Sequence, residues 1–208
     1  MKKIIITLVV VGLLITGGIL WWNSSNETQN QQAQNNTSNY QAERSSAEKN
    51  STTLIKREVE IASFSTKIYN KDEERQNNIG ITCRTLSTKE IKPGEVFSFC
   101  DTVGKATHAK GYEEADIYVE GKKEQGLGGG NCQVSTTLYN AVLQVPELEV
   151  IERHQHSGHV PYIQKGKDAA VAYGSYDFKF KNNSDNVIKI VMENTAENIT
   201  AKLIKIGK

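Results

Sequence analysis

The stretch GLGGGNCQVSTTLYNAVL, Gly126 to Leu143, sets one thiol, Cys132, between a run of glycines and a segment of helical spacing. Val134, Leu138, Ala141, Val142 and Val145 recur at helical intervals and Pro146 follows them. Cys132 is therefore expected at or just before a helix N-terminus. Helix starts carry unpaired N–H groups and partial positive charge, and both favour a thiolate. Glycines allow positive φ and let the backbone come close to a ligand. The backbone around Gly129, Gly130 and Asn131, up to Cys132, is then placed to meet a developing oxyanion. The arrangement suits a nucleophile that attacks a carbonyl. It also fits a plain structural role, with a small residue at a helix start after a hairpin loop. A phosphate cradle fits less well, because no Gly-Lys-Ser/Thr is present.

A cysteine nucleophile needs a histidine base, itself oriented by a third group. Three of the four histidines fall in RHQHSGH: His154, His156 and His159. A strand over Leu148 to Ser157 would put His154 and His156 on one face with Leu148 and Val150. Both are candidate bases, and each could equally be a hydrogen-bonded buried histidine. Asp168 and Asp177 are the carboxylates considered for orienting the base. Arg153 is a candidate fork for a substrate carboxylate, although strict alternation would turn it away from His154. H-x-H-x-x-H plus a cysteine also supplies enough ligands for zinc, but not at a zinc-specific spacing. No metal or other cofactor is expected.

The elements that position these residues lie in one exported domain. Ile4 to Trp22 is a run of nineteen uncharged residues behind Lys2 and Lys3. As a helix it spans roughly 28 Å, about one hydrocarbon core. The flanking lysines keep the N-terminus cytoplasmic. A cleaved signal peptide is the alternative, but the run is long for one and no A-x-A site follows. Residues 1–22 are thus expected to be an uncleaved membrane anchor. Of the 31 residues from Asn23 to Thr53, 22 are Asn, Gln, Ser or Thr. Such a segment buries too little to fold and reads as a tether with an average reach of about 30 Å. Residues 54–208 are enough for one core. A net charge of +1 argues against a nucleic-acid partner.

Three cysteines, Cys83, Cys100 and Cys132, leave at least one unpaired within the chain. The fold class expected is α+β, with a helix-bearing middle and a strand-rich C-terminal part. Ile55 to Tyr69 reads as one or two strands, DEERQNNIGITCRTL as a short helix or loop, and ADIYVEGKKEQG as a strand, a turn and a return. LEVIERHQHS, DAAVAYG, YDFKFKN, VIKIVME and NITAKLIKI read as further strands.

Taken together, PGEVFSF, KGYEEADIYVEGK, GLGGGNCQVSTTLYNAVL, ELEVIERHQHS and GKDAAVAYGSYDFKFKNNS resemble the VanW family in order and spacing. The likeness covers about Phe64 to Val191, and the GGGxCQVS-TLYNA and ERHxHS blocks are its specific parts. The resemblance implies an exported cell-wall domain, in a family named from a glycopeptide (vancomycin) resistance cluster; with the expected anchor this makes a single-pass membrane protein whose domain faces the cell wall. Some members are reported as L,D-transpeptidases that use the motif cysteine. Carried over, this makes Cys132 the nucleophile, His154 or His156 the base, and peptidoglycan stem peptides the substrate. The alternative is a non-catalytic wall-binding accessory module. The sequence departs from the family pattern at His159 and Cys100, and Cys83 is no hallmark, so none of these three is given catalytic work.

Overall fold

The computed structural model describes residues 57–119 and 122–207, so the expected anchor and tether lie outside the described residues. In chain order the elements are β1 (Glu58–Lys67), α1 (Glu73–Leu86), β2 (Glu90–Ile91), β3 (Val96–Ser98), α2 (Phe99–Val103), a 3-10 turn (His108–Lys110), β4 (Glu114–Val119), β5 (Lys122–Leu127), α3 (Asn131–Val142), β6 (Leu148–Glu152), β7 (Lys179–Asn182), β8 (Val187–Asn194) and β9 (Asn198–Ile206). The chain is α+β, as its sequence pattern implies.

Strict alternation builds the largest sheet. β8 buries Ile188, Ile190 and Met192, and β9 buries Ile199, Ala201 and Leu203, while the residues between them face outward. The sheet order is β1-β9-β8-β2. Its edge strand β1 comes from the start of the domain and pairs antiparallel with β9, from Glu58 opposite Ile206 to Lys67 opposite Asn198. The strand-rich part is therefore not confined to the C-terminal half. α1 packs on β8, α3 packs on β9 and β1, and the two helices touch each other. A second sheet, β3-β7-β6, carries an aromatic cluster. The Phe97 and Phe180 ring centroids are 4.9 Å apart, and Tyr139 from α3 meets Phe178 edge-on at 5.6 Å.

α1 is a full helix of 14 residues rather than a short one or a loop. Arg75, Asn78, Ile79, Thr82, Cys83 and Leu86 form its buried stripe, at helical spacing. Half of that stripe is polar, which hides it from a hydrophobicity pattern. Each polar member does a specific job. Asn78 pairs with both backbone groups of Glu113, at 2.8 Å and 2.9 Å, and so holds the chain where it enters β4. The Thr82 hydroxyl donates to Asn131 Oδ1 at 2.6 Å, on the glycine loop.

One expected strand ends early and another does not form. β6 stops at Glu152, and beyond it His154 makes only an isolated bridge to Ala170. DAAVAYG likewise contributes only isolated bridges. The reason is that side chains take up the backbone donors a ladder would need. The His156 N–H goes to Asp168 Oδ2, Ala169 N–H to Thr136 Oγ1, and Val171 N–H points at Cys132 Sγ.

Candidate active site

Gly130 caps α3 with φ of +110°, and Cys132 is the second residue of the helix. Two constraints make residue 130 a glycine. Its φ lies where L side chains are strained, and a Cβ there would sit 2.7 Å from Ile79 Cγ1. The loop can thus lie directly on α1. Gly129 is held as closely, since a Cβ would stand 2.7 Å from Asp116 O. Gly130→Ala is expected to cost about 2–5 kcal/mol, combining backbone strain with overpacking against a buried side chain. Urea unfolding measures it through a lower midpoint at unchanged slope.

Cys132 is half-buried, with Sγ 3.4 Å from Val171 O and 3.5 Å from Val171 N. Cys132 and His156 line the same cleft, and the thiol is close enough to raise the imidazole pKa. His156 Nδ1 lies 2.7 Å from Asp168 Oδ2, and that same oxygen accepts the His156 backbone N–H at 2.6 Å. With Nδ1 held by the carboxylate, Nε2 is the nitrogen left for the thiol. Arg153 holds Asp168 in turn. Its Nη2 donates to Asp168 Oδ1 at 3.0 Å and to Gly166 O at 2.8 Å, and its Nε donates to Asp168 O at 2.5 Å. The guanidinium also lies 5.4 Å from the Tyr139 ring centre. From α3, Asn140 Nδ2 donates to Lys167 O at 2.7 Å, so the helix that carries the thiol also anchors the loop that carries the acid.

Burial disfavours a charged His156, but its hydrogen bonds and charge interactions with Cys132 and then Asp168 outweigh it. Its pKa is raised above 6.5 as a result. Burial likewise opposes ionisation of Asp168, yet the backbone and side chain of His156 hold that carboxyl below its ordinary range. A group whose pKa is raised on folding stabilises the fold below its unfolded pKa, and that contribution fades as pH rises through the folded value. The stabilisation contributed by protonated His156 is therefore fully present well below pH 6.5 and is lost as pH rises through its raised pKa. NMR titration of His156 is expected to give a pKa above 6.5 in the parent and a lower one in Cys132→Ala. An unchanged midpoint would disconnect the two side chains.

The other candidates sit elsewhere. His154 Nε2 bonds Glu152 Oε1 at 2.9 Å, and its ring stacks 4.7 Å from Tyr176. It does not share a face with His156, because β6 has already ended. Arg153 commits Nε and Nη2 to Gly166 and Asp168, so that side of its fork is not presented to a substrate carboxylate. Asp177 accepts from Ser98 Oγ at 2.6 Å and from Cys100 N at 2.9 Å, and so caps α2 instead of orienting the base. The Asn131 N–H is bonded to Gly128 O at 3.0 Å and its side chain to Thr82, which removes it from the oxyanion donors. The Cys132 N–H remains, one of the helix-start donors with no partner inside the helix. Cys83 is a core residue, and burial pushes its thiol up to about 12. All three cysteines are free. His159 is exposed. Among the described residues no group of three or more His, Cys, Asp or Glu is placed to hold a metal ion.

Cys132 and His156 open into a cleft of about 630 Å³, whose walls include Tyr69, Arg75, Cys100, Asp116, Tyr162 and Tyr173. Arg75 gives no signal in the sequence. An arginine among the acidic residues of EERQ reads as a solvated helix start, yet its side chain is buried.

The family model described as VanW like protein matches residues 74–204, more than half of the chain. The chain is 37% identical over 131 residues to the uncharacterized protein YoaR of Bacillus subtilis (strain 168), covering 63% of this chain and 43% of that protein. It is 35% identical over 126 residues to the vancomycin B-type resistance protein VanW of Enterococcus faecalis (strain ATCC 700802 / V583), covering 57% and 44% respectively. The chain thus spans less than half the length of these curated relatives. No solved structure matches it significantly. The matched residues 74–204 include the glycine loop, the thiol and the histidine–aspartate loop, and the chain belongs to the VanW family.

Proposed function

We propose that the domain is a cysteine-dependent acyl transferase acting on peptidoglycan stem peptides. The observation that carries this reading is one open cleft that holds both Cys132, at a helix N-terminus, and His156, whose Nδ1 is bonded to Asp168. His156 takes the thiol proton, and the Cys132 thiolate attacks the carbonyl carbon of the third residue of a stem tetrapeptide. The negative charge on that oxygen develops at the helix start, beside the Cys132 N–H. The tetrahedral adduct collapses, the amide C–N bond breaks, and His156 returns its proton to the departing amine of D-alanine. A thioester remains on Cys132. The amine of a neighbouring stem then attacks it and gives up a proton to His156, so a cross-link forms and the thiol is regenerated. With water as the acceptor, the same cycle is a carboxypeptidase. Asp168 keeps the imidazole in one tautomer and orientation, and Arg153 keeps Asp168 in place.

A wall substrate also fits the expected arrangement, in which residues 4–22 anchor the chain and residues 23–53 let the domain reach out from the membrane. The name of the Enterococcus relative, a vancomycin resistance protein, agrees with a role at the wall. The test is to incubate the full-length chain with disaccharide-tetrapeptides and follow the products by mass spectrometry. Cross-linked dimers or free D-alanine are expected. Neither product from any stem would overturn the enzyme reading in favour of a wall-binding module.

A further inference from the structure

Arg75 is only 8% exposed, yet it lines the cleft that holds Cys132 and His156. Its hydrogen-bond partners are neutral. Nη2 donates to Gln133 Oε1 at 2.8 Å, and Nη1 reaches Asn70 O at a marginal 3.5 Å. Among the described residues no carboxylate lies within ion-pair distance of it. Asp116, the one acid among the described residues that line the cleft, is already matched, by Lys123 at 2.6 Å, Gln125 at 2.7 Å and Asn70 at 2.9 Å. A guanidinium buried without an anion is costly. Burial depresses its pKa, with only partial compensation from charge interactions with Tyr162, Asp116, Asp72 and then Cys132. Such a cation facing an open cleft is the mark of a site that an anionic ligand completes.

Its position says which part of a ligand it meets. Gln133, which holds the guanidinium, is the residue after the nucleophile. The backbone of Arg75 lies against the cap glycine, with its O 3.5 Å from where a Gly130 Cβ would be. The arginine is therefore built into the nucleophile loop from both sides. In a peptide whose last residue is the leaving group, the terminal carboxylate carbon is three bonds from the scissile carbonyl carbon, under about 4 Å away. An internal peptide bond has a neutral amide at that place. We propose that Arg75 docks the free C-terminal carboxylate of the acyl donor, which restricts the site to releasing a single C-terminal amino acid. This rests on the acyl-transfer reading and specifies its donor. It also assigns the carboxylate fork to Arg75 in place of Arg153.

The test is made first on the full-length chain carrying Cys132→Ala, which binds without turnover. Two tetrapeptides that differ only in a C-terminal carboxylate or carboxamide are compared by calorimetry. The carboxylate form is expected to bind about 10–100-fold more tightly, in keeping with a charge-assisted bond at a buried site. Adding Arg75→Gln should weaken the carboxylate peptide alone and erase the preference. Arg75→Lys should keep part of it, because a point charge replaces a two-pronged donor. Should Arg75→Gln fail to fold, the Arg75 and Arg75→Lys proteins decide the matter. Equal affinity for the two peptides in the Arg75 protein, binding of neither, or a preference untouched by substitution overturns the proposal. A preference lost with Arg75, while the Cys132 protein releases no product, sinks the acyl-transfer reading and leaves a carboxylate-binding site.

Discussion

Cys132→Ser is expected to abolish acyl transfer, with a loss of at least about 10³-fold, and to leave the fold intact. The substitution barely changes volume, so the packing around α3 has little to accommodate. The polar neighbours of Sγ, the N–H and the carbonyl of Val171 at 3.5 Å and 3.4 Å, can be served by a hydroxyl as well. What changes is the nucleophile. A hydroxyl gives up its proton far less readily than a thiol, so the imidazole no longer generates a useful population of the attacking anion. Product formation from disaccharide-tetrapeptides reads the loss, and circular dichroism with the melting temperature reads the fold. An electrophilic acyl donor such as a carbapenem should add its mass to the parent at Cys132 and add nothing to Cys132→Ser. Full activity in the serine variant would refute the assignment.

The second large effect separates two histidines that neighbour each other in the sequence. His156→Ala should lower the rate by about 10²–10⁴, the usual range for a general acid–base group. It serves twice in the proposed cycle, taking the thiol proton and returning it to the leaving amine. His154→Ala should lose much less than tenfold, because that ring faces Glu152 and Tyr176 and not the thiol. Asp168→Asn gives a third reading. The amide can no longer balance an imidazolium, so the raised His156 pKa should fall along with the rate. Single-turnover acylation of each variant at several pH values makes the comparison. Equal losses in His154→Ala and His156→Ala would mean that the base is not set by the contacts seen here.

The glycine loop could be read from residues 126–143 alone, because helical spacing and glycine's freedom at positive φ are local properties. They were enough to put Cys132 at a helix start. β8 and β9 were legible for the same reason: their alternation of Ile, Val and Leu with Lys, Asn and Thr needs no partner to be recognised. The helix α1 was only half legible. Asn78 and Thr82 occupy its buried stripe because they bond the chain at Glu113 and Asn131, and a polarity pattern cannot report partners so far away in sequence. The histidine segment misled through its apparent continuity with β6. Alternation put His154 and His156 on one face, but the Asp168 carboxylate withdraws the His156 backbone and side chain from any ladder. Asp168 and Asp177 look alike as sequence, and only tertiary placement puts one beside an imidazole and the other at the cap of α2. The two arginines carry the same lesson. Arg153 stands beside the histidines in sequence and is consumed by Asp168, while Arg75 reaches the cleft because α1 crosses over the cap glycine at Gly130. The sequence by itself determined the nucleophile's setting, since that setting is built from contiguous residues. The grouping of His156, Asp168 and Arg75 around it was decided only by the tertiary structure, because it depends on which distant backbone donors and buried charges are brought together.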